Sequence, residues 1–400
     1  GSQSEVFLNC VNVATFQCTD PTAVPAGGNP FAVLALGNIS YTVSRTTFRN
    51  HALYAQGSYA ITDQLKLTGG IRYTWDRQVA NGQLIKYTFP LPNTPLKVCS
   101  LPDLVLADGC PVSASSSSQK PTWLVDLDYK PTNDILLYAK WSRGYRAGGV
   151  NLQAPSVIRS FGPEKVDTYE GGFKTSFRGA VSGTFNVSAF YNDFTSQQLP
   201  VSLNSASINA TATTNAGKSR IYGLEAELSL TPFSGFTIDA AYTYLNTKLQ
   251  SATAPVGDFR PFIVTPPSNQ VGQPLLQSPK NQFTVTGTYT LPLPESVGQL
   301  SVAATFTHTD KQLSNYVDET FPTVPEIYQY RFQDARNLLN LNLNWNHVAN
   351  SQFDLSLFAT NVTNQKYYAF ISGLAAVGFE GGNVGEPRMY GARIRYSFGR

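Results

Sequence analysis

Alternation of apolar and polar residues recurs along most of this 400-residue chain and constrains its fold more than any other feature. The last stretch shows it clearly, with every second position apolar: Tyr390, Ala392, Ile394, Tyr396 and Phe398. Successive side chains of a strand point to opposite faces, so such a strand has one apolar and one polar face. Upstream strands repeat the pattern, and the sequence predicts no helix that would cover their apolar faces. A bilayer is the simplest cover, which predicts an all-β fold, a transmembrane antiparallel β-barrel.

Composition agrees with this fold and excludes other classes. The chain is 42% hydrophobic and only 14% charged, yet no apolar run approaches the ~18 residues of a membrane helix. A helical membrane protein is therefore excluded. The formal net charge of +3 is small and the cations are dispersed, so no nucleic-acid partner is expected.

Four cysteines fall into two close pairs, Cys10 with Cys18 and Cys99 with Cys110. Each pair lies in a connection rich in Pro, Gly and Ser, which favours two disulfides formed in an oxidising compartment. A metal site is the weaker alternative, because neither pair has Cys-x-x-Cys spacing and the histidines are distant in sequence.

The connections between strands alternate in length. Short turns are predicted near residues 62, 132, 179, 233, 295 and 349, and long loops at residues 78–120, 146–163, 197–213, 251–279, 313–335 and 365–387. Outer-membrane barrels have short periplasmic turns and longer extracellular loops. We therefore expect the long loops outside the cell.

Roughly thirteen strands are predicted, the first descending from an extracellular loop. Intact bacterial barrels have an even number of strands with both termini inside, so we expect an N-terminal part to be missing. Residues 1–45 are predicted to be an extracellular loop segment, and residues 46–400 the barrel portion. Gly1 to Asn9 lack the features of a signal peptide, so we expect that the start of the chain was removed or belongs to something longer.

Several motifs together resemble the TonB-dependent outer-membrane receptors, from about Phe48 to the C-terminus. These motifs are Leu53–Tyr59, Leu67–Tyr73, Tyr138–Gly149, Pro163–Glu164, Tyr169–Lys174, Tyr222–Glu227, Asn361–Tyr368 and Glu386–Arg388. The family's barrel has twenty-two strands and is plugged by an N-terminal domain. The resemblance implies that this chain supplies the C-terminal thirteen strands of such a barrel, without the plug.

The resemblance also implies a function and partners. It implies active uptake of a scarce solute, such as a ferric siderophore, a cobalamin or an oligosaccharide, across the outer membrane of a Gram-negative bacterium. Energy would come from the TonB complex acting through the plug. Outer-membrane lipid, lipopolysaccharide and the barrel assembly machinery are the other expected partners, and no cofactor is implied.

Candidate ligand contacts lie on the predicted loop tips and the upper lumen. They are Arg146, Asn151, Tyr316, Tyr328, Tyr330 and Phe379. Arg and aromatic side chains there could pair with or stack on a chelate or sugar, although loop aromatics also serve to pack loops. Paired carboxylates such as Glu225 and Glu227 are interpreted as wall residues that pair with neighbouring cations rather than as an acid/base dyad.

Two other functions share part of the sequence pattern. A passive porin-like channel shares the alternation but typically has sixteen to eighteen strands and no plug. An outer-membrane enzyme is less favoured, because the three histidines lie apart with no nucleophile motif near them; no catalytic or metal-binding residue is expected.

The closing strand resembles the signal by which the assembly machinery recognises barrels. Gly391, Ile394, Tyr396 and Phe398 carry this resemblance, with a terminal aromatic on the lipid face. Gly399 and Arg400 follow Phe398, a departure from a terminal Phe.

Overall fold

The computed structural model describes residues 6–8, 38–91, 94–204, 209–253, 255–260, 262–265, 270–314, 331–374 and 379–398. These residues are mostly in antiparallel strands, and short 3-10 turns occur at Ser156–Ile158 and Val348–Asn350. Within the described ranges, no helix has both the length and the apolar character needed to cross a membrane.

The strands are numbered in chain order. They are β1 (Val6–Leu8), β2 (Asn38–Ala60), β3 (Leu65–Leu91), β4 (Thr94–Cys99), β5 (Pro111–Thr132), β6 (Ile135–Arg146), β7 (Gly149–Val150), β8 (Ser160–Phe161), β9 (Glu164–Phe177), β10 (Ser182–Asn204), β11 (Asn209–Phe233), β12 (Phe236–Ala252), β13 (Ile263–Thr265), β14 (Asn281–Thr290), β15 (Gln299–Thr309), β16 (Gln312–Leu313), β17 (Phe332–Gln333), β18 (Arg336–Asn346), β19 (Phe353–Thr360), β20 (Tyr368–Leu374), β21 (Phe379–Val384) and β22 (Met389–Tyr396).

One continuous antiparallel sheet contains the long strands, each hydrogen-bonded to the next long strand in sequence. Its order is β2-β3-β5-β6-β9-β10-β11-β12-β14-β15-β18-β19-β22, with the three-residue β1 added to the end of β2. Among the described residues this path has thirteen long strands, so the expected count and the antiparallel barrel topology are confirmed.

Register places apolar residues of neighbouring strands side by side. Leu67 pairs with Leu127, and Leu127 pairs with Ala139 on the next strand. The intervening positions form a polar face, where Lys66 Nζ lies 2.7 Å from Asp128 Oδ2 and Lys140 Nζ lies 2.6 Å from Glu170 Oε2. The sheet thus has one apolar face and one polar face, as the alternation predicts.

Aromatic rings lie toward both ends of the apolar face. At the long-loop end, the Trp141 ring lies 5.4 Å from Trp123 and 6.3 Å from Tyr169. At the other end, Phe353 and Tyr396 have ring centroids 4.8 Å apart. Aromatic belts of this kind are typical of the two interfaces of a membrane-spanning barrel.

Short turns join alternate strand pairs at one end of the sheet. They comprise residues 61–64, 133–134, 178–181, 234–235, 291–298 and 347–352. Gly235 lies in one of these turns, where its φ is +86° and an added Cβ would lie 2.5 Å from the Thr290 carbonyl oxygen. Only glycine adopts this conformation without strain. These turns lie where the sequence predicts them.

The opposite end differs from expectation in three connections, one of which, residues 365–387, contains the separate hairpin of β20 and β21. Residues 78–120 do not form one irregular loop, because β3 continues to Leu91 and β5 begins at Pro111. Residues 197–213 likewise belong largely to β10 and β11, which stay paired up to Asn204 and Asn209. Strand β2 begins at Asn38, within the segment 1–45, whose extracellular location remains a prediction.

The closing strand β22 pairs with β19 from Tyr396 opposite Phe353 to Met389 opposite Thr360. Ile394 and Phe398 are 71% and 87% exposed, as expected for side chains on a lipid-facing surface. Gly391 lies opposite Phe358, and an added Cβ would lie 2.2 Å from that ring. Recognition of this strand by an assembly machinery stays a prediction.

Candidate functional site

Beyond the aromatic belt at the long-loop end, four connections pack around a shared apolar core. The core contains Leu84, Leu101, Val112, Ala154, Ile158, Val201, Leu203, Ala212 and Phe262. They come from the β3–β5 connection, the β6–β9 loop, the β10–β11 hairpin tip and the segment after β12. We call the assembly of these four connections around this core the cap.

The cap forms because strand extensions carry buried residues beyond the membrane-spanning part. Leu203 of β10 is fully buried and Leu84 of β3 is 1% exposed. Fully burying such a side chain stabilises a fold by about 1.5–3 kcal/mol. Contacts between residues so distant in sequence explain why the extensions are ordered strands rather than loops.

A disulfide joins Cys99 to Cys110 in the β3–β5 connection, with the two Cα atoms 5.4 Å apart. Cys110 is fully buried, and its carbonyl oxygen accepts a hydrogen bond from Leu84 N at 3.1 Å. The bridge expected from the sequence is therefore present, and it holds this connection against the core. Cys10 and Cys18 lie outside the described residues.

Asn151 connects the β6–β9 loop to the β10–β11 hairpin. Its Nδ2 donates to the carbonyl oxygens of Ile158 and Thr213, each at 2.8 Å, and its Oδ1 accepts from Thr213 N at 3.0 Å. The amide is thus occupied by backbone partners within the cap. The structure gives Asn151 a loop-stabilising position, and contact with a ligand stays a prediction.

Arg159 links two of the cap's connections through an ion pair. Its Nη2 lies 2.6 Å from Asp103 Oδ2, and its Nε donates to the Ala154 carbonyl oxygen at 3.1 Å. The Arg159 side chain is 12% exposed and that of Asp103 is 35% exposed, so the pair is partly shielded from water on the arginine side. Local sequence patterns give no signal for this pair, because its partners are 56 residues apart.

Gln198 and Asn215 fix the β6–β9 loop from the side of β10 and β11. Gln198 Nε2 donates to the carbonyl oxygens of Ala147 and Gly162 at 2.8 and 3.0 Å. Asn215 accepts from Gly162 N and donates to Gly162 O at 2.9 Å. These side-chain amides add hydrogen bonds from β10 and β11 to the backbone of the loop, beside those that Asn151 makes to Thr213.

Arg146 lies at a cleft of about 310 Å³ where the polar face meets the cap. Its Nε lies 3.0 Å from Glu164 Oε1, and 62% of its side chain is exposed. The opposite wall contains Asp76, which accepts hydrogen bonds from Tyr145 and Asn50. An exposed guanidinium beside an open cleft can pair with a carboxylate, catecholate or phosphate group of a ligand.

Gly148 and Gly149 bring the β6–β9 loop against this cleft. A Cβ at Gly148 would lie 2.2 Å from the Phe161 carbonyl oxygen, and one at Gly149 would lie 2.6 Å from the Phe161 ring. Gly148 N also donates to Ser118 Oγ at 3.0 Å. Larger residues at these two positions would push the loop away from β5 and widen the cleft.

The remaining predicted ligand residues are not brought together by the described part of the chain. Phe379 begins β21 opposite Leu374. Tyr316, Tyr328 and Tyr330 lie outside the described residues. Their roles stay predictions.

Glu225 and Glu227 lie on the polar face of β11, opposite Ser188 and Asn186 of β10. Both are exposed, and on β12 they lie opposite Thr243 and Ala241. Over the described ranges, no group of three or more His, Cys, Asp or Glu side chains is arranged to hold a metal ion.

Comparison with known proteins defines the family. Residues 11–364 match the model of the family described as TonB dependent receptor-like, beta-barrel. The chain belongs to this family, as its motifs suggest, and the family consists of transporters rather than enzymes.

Its relatives and structural neighbours agree on the fold. A probable TonB-dependent siderophore receptor, PiuA of Acinetobacter baumannii, is 26% identical over 377 residues, covering 92% of this chain and 43% of the relative. The ferric yersiniabactin uptake receptor FyuA of Yersinia pestis superposes with a TM-score of 0.64 at 17% identity, covering 91% of this chain and 47% of FyuA. The copper transporter OprC gives a TM-score of 0.59 at 14% identity, covering 91% and 55%. This chain therefore spans less than half the length of PiuA.

Proposed function

We propose that this chain provides barrel wall and extracellular cap of an outer-membrane receptor that actively takes up a scarce solute in a Gram-negative bacterium. The main support for this proposal is the cap, which lies at one end of the polar face of a TonB-dependent receptor barrel. The cap borders a cleft that is lined by the exposed Arg146. A binding site outside and a polar wall below it suit capture followed by inward passage.

The proposed solute is a metal complex of the ferric-siderophore class. Similarity to the siderophore receptor PiuA and the ferric yersiniabactin receptor FyuA supports this class, and similarity to the copper transporter OprC keeps a metal ion among the candidates. Arg146 adds a physical reason, since a guanidinium attracts the acidic oxygens that most iron chelators carry. Cobalamin and oligosaccharides are the alternative solutes, and the uptake experiment below includes them.

Size limits how the cleft can take part. Its volume of about 310 Å³ is at the small end of the 300–1,000 Å³ typical of ligand pockets. We infer that it accepts one arm of a chelate, while the rest of the ligand contacts neighbouring loops.

Energy coupling is proposed to come from TonB, acting on a plug inside the complete barrel, as the family implies. No residue of the cap is assigned to that contact. The other proposed partners are outer-membrane lipid and the barrel assembly machinery, which would act on the wall and on β22.

Uptake by cells that make the intact receptor tests the proposal. Radiolabelled iron would be supplied with catecholate, hydroxamate and phenolate chelators in turn, and labelled copper, cobalamin and oligosaccharides would be supplied separately. We expect saturable uptake of at least one metal complex that is lost when TonB is deleted. Uptake that rises linearly with concentration and is independent of TonB would instead support the porin-like channel.

Arg146→Gln tests the cleft within the same assay. We expect the concentration for half-maximal uptake to rise tenfold or more, because one charge-assisted contact of roughly 1.5–3 kcal/mol is removed. Arg178→Gln is the matched control, since Arg178 lies in the turn 178–181 at the other end of the sheet. Equal uptake by Arg146→Gln and wild type would remove Arg146 from the binding site.

A further inference from the structure

A row of charged residues follows the aromatic belt on the apolar face. Trp141, Tyr169, Tyr191 and Tyr222 stand in register across β6, β9, β10 and β11. Two residues closer to the cap on each strand, the register aligns Arg143, Asp167, Asp193 and Arg220, with Lys248 of β12 beside Arg220. We call these five residues the charged row.

Side-chain contacts place Arg143, Asp167 and Arg220 of the charged row on the apolar face, and register places Asp193 and Lys248 beside them. The Arg143 guanidinium lies 4.2 Å from the centroid of the Trp123 ring and pairs with both carboxylate oxygens of Asp167 at 2.6 and 2.5 Å. Arg220 lies 5.1 Å from the ring of Tyr222. Both arginines thus pack against the belt rather than turning to the polar face.

Positive charge predominates in and beside the row. Lys218 adds a cation, with Nζ 3.8 Å from Asp193 Oδ1. Lys165 lies opposite Thr195, two residues closer to the cap than the pair of Asp167 and Asp193. Five cations therefore share this surface with two carboxylates. Within the described residues, Arg220 Nε is buried without a hydrogen-bond partner.

The height of the row matches that of lipid head groups. A strand rises about 3.3 Å per residue and is tilted by about 40° in barrels of this kind, so two residues place the row about 5 Å above the aromatic belt. Belt rings lie at the interface between hydrocarbon and head groups. A surplus of cations immediately beyond them faces the layer that contains lipid phosphates.

We propose that the charged row, with Lys165 and Lys218, binds the phosphates of the diphosphorylated glycolipid in the outer leaflet. Arginine offers a planar fork that suits phosphate oxygens, and lysine offers a point charge. Asp167 orients Arg143, which leaves Arg220 and Lys248 as the principal phosphate contacts. This inference rests on the membrane-spanning barrel and does not depend on which solute the proposed receptor takes up.

Binding of diphosphoryl lipid A by the intact, delipidated receptor tests the inference. The receptor would be placed in phosphatidylcholine nanodiscs, and retained lipid would be counted by native mass spectrometry across a titration. We expect saturable binding that weakens at least tenfold in the double variant Arg220→Gln, Lys248→Gln. The control Arg178→Gln, at the short-turn end, should bind as wild type does.

A gain-of-binding variant guards against misfolding as an explanation. Asp193→Asn removes a carboxylate that competes for Lys218, so we expect binding to tighten severalfold. Equal binding by wild type and both charge variants would overturn the inference. So would equal binding of lipid A from which both phosphates have been removed, or equally tight binding of inorganic phosphate alone.

The uptake assay separates this inference from the proposed function. Loss of phosphate-dependent lipid binding in the Arg220 and Lys248 variant, with solute uptake unchanged, supports the lipid site alone. A receptor that takes up no solute yet binds the glycolipid through these residues would disprove the proposed function and leave the lipid site standing.

Discussion

Glycines opposite large rings determine how side chains fit on the polar face. Tyr138 lies across Gly172, where an added Cβ would be 2.3 Å from the ring, and its hydroxyl donates to Glu170 Oε1 at 2.8 Å. Phe358 lies across Gly391 in the same way. An aromatic ring that covers a strand glycine compensates for the missing side chain.

Gly172→Ala should displace the Tyr138 ring and weaken its hydrogen bond to Glu170. Overpacking of this kind costs about 1–3 kcal/mol. We expect a lower thermal midpoint for the conversion of the compact barrel band to the unfolded band in gel electrophoresis.

Gly171→Ala provides the matched control. Gly171 is adjacent in sequence but has only the Tyr138 carbonyl oxygen within 4 Å of an added Cβ, at 3.7 Å. If both variants lower the midpoint equally, strand propensity and not the ring contact explains the loss.

At the scale of elements, the disulfide makes the β3–β5 connection part of the cap. Replacing both Cys99 and Cys110 by Ala should cost on the order of 3 kcal/mol of cap stability, because the short loop they close is then unconstrained. We expect faster amide hydrogen exchange and faster proteolysis within residues 100–110. Reduction of the wild-type receptor should reproduce the effect, and identical exchange with and without the bridge would contradict it.

The closing strand carries a second prediction at this scale. Phe398 contacts Tyr396, with ring centroids 4.6 Å apart, and is otherwise exposed. Phe398→Asp should lower the yield of heat-modifiable barrel in the outer membrane, since a carboxylate then replaces an aromatic group on the lipid-facing surface. Ser397→Asp is the control on the opposite face. An unchanged yield for Phe398→Asp would count against an assembly signal in this strand.

Sequence alternation predicted the membrane-spanning elements well, because the period of two is imposed by lipid on one face along every strand. It missed the strand extensions at residues 78–91 and 111–120. There the run Ser115 to Ser118 has no apolar alternation, although those serines pair with Val79 to Asp76 of β3. Ser116 Oγ donates to the Phe161 carbonyl oxygen and Ser118 Oγ accepts from Gly148 N, each at 3.0 Å. These serines contact a polar loop, so their pattern carries no apolar signal.

The candidate site was predictable only in part. Sequence reasoning predicted the Cys99–Cys110 bridge, which is confirmed, because a close cysteine pair is a local feature. It also placed Arg146 at a loop, where the cleft lies, but ligand contact by Arg146 stays a prediction. It missed Arg159, Gln198 and Asn215, which act through partners tens of residues away. The sequence does not distinguish a loop glutamine or asparagine that hydrogen-bonds to the backbone from one that hydrogen-bonds to solvent.

For the molecule as a whole, the shared core makes four connections stable or unstable together. Leu203→Ala removes a fully buried side chain from that core, which should cost about 2–5 kcal/mol. We expect amide exchange to accelerate in all four connections at once, not only in the β10–β11 hairpin. Val256→Ala, at a side chain that is 95% exposed, should change nothing, and acceleration confined to one hairpin would contradict a common core.

The same core has a consequence for engineering and for divergence within the family. If a single loop were exchanged with that of another receptor, its core residues would pack against the three original connections. The mismatch would leave a cavity or a clash. Viable chimaeras should therefore transplant all four connections as a set. Substitutions at positions such as Leu84, Ile158 and Val201 are expected to change in concert from one receptor to the next, while the wall beneath them diverges independently.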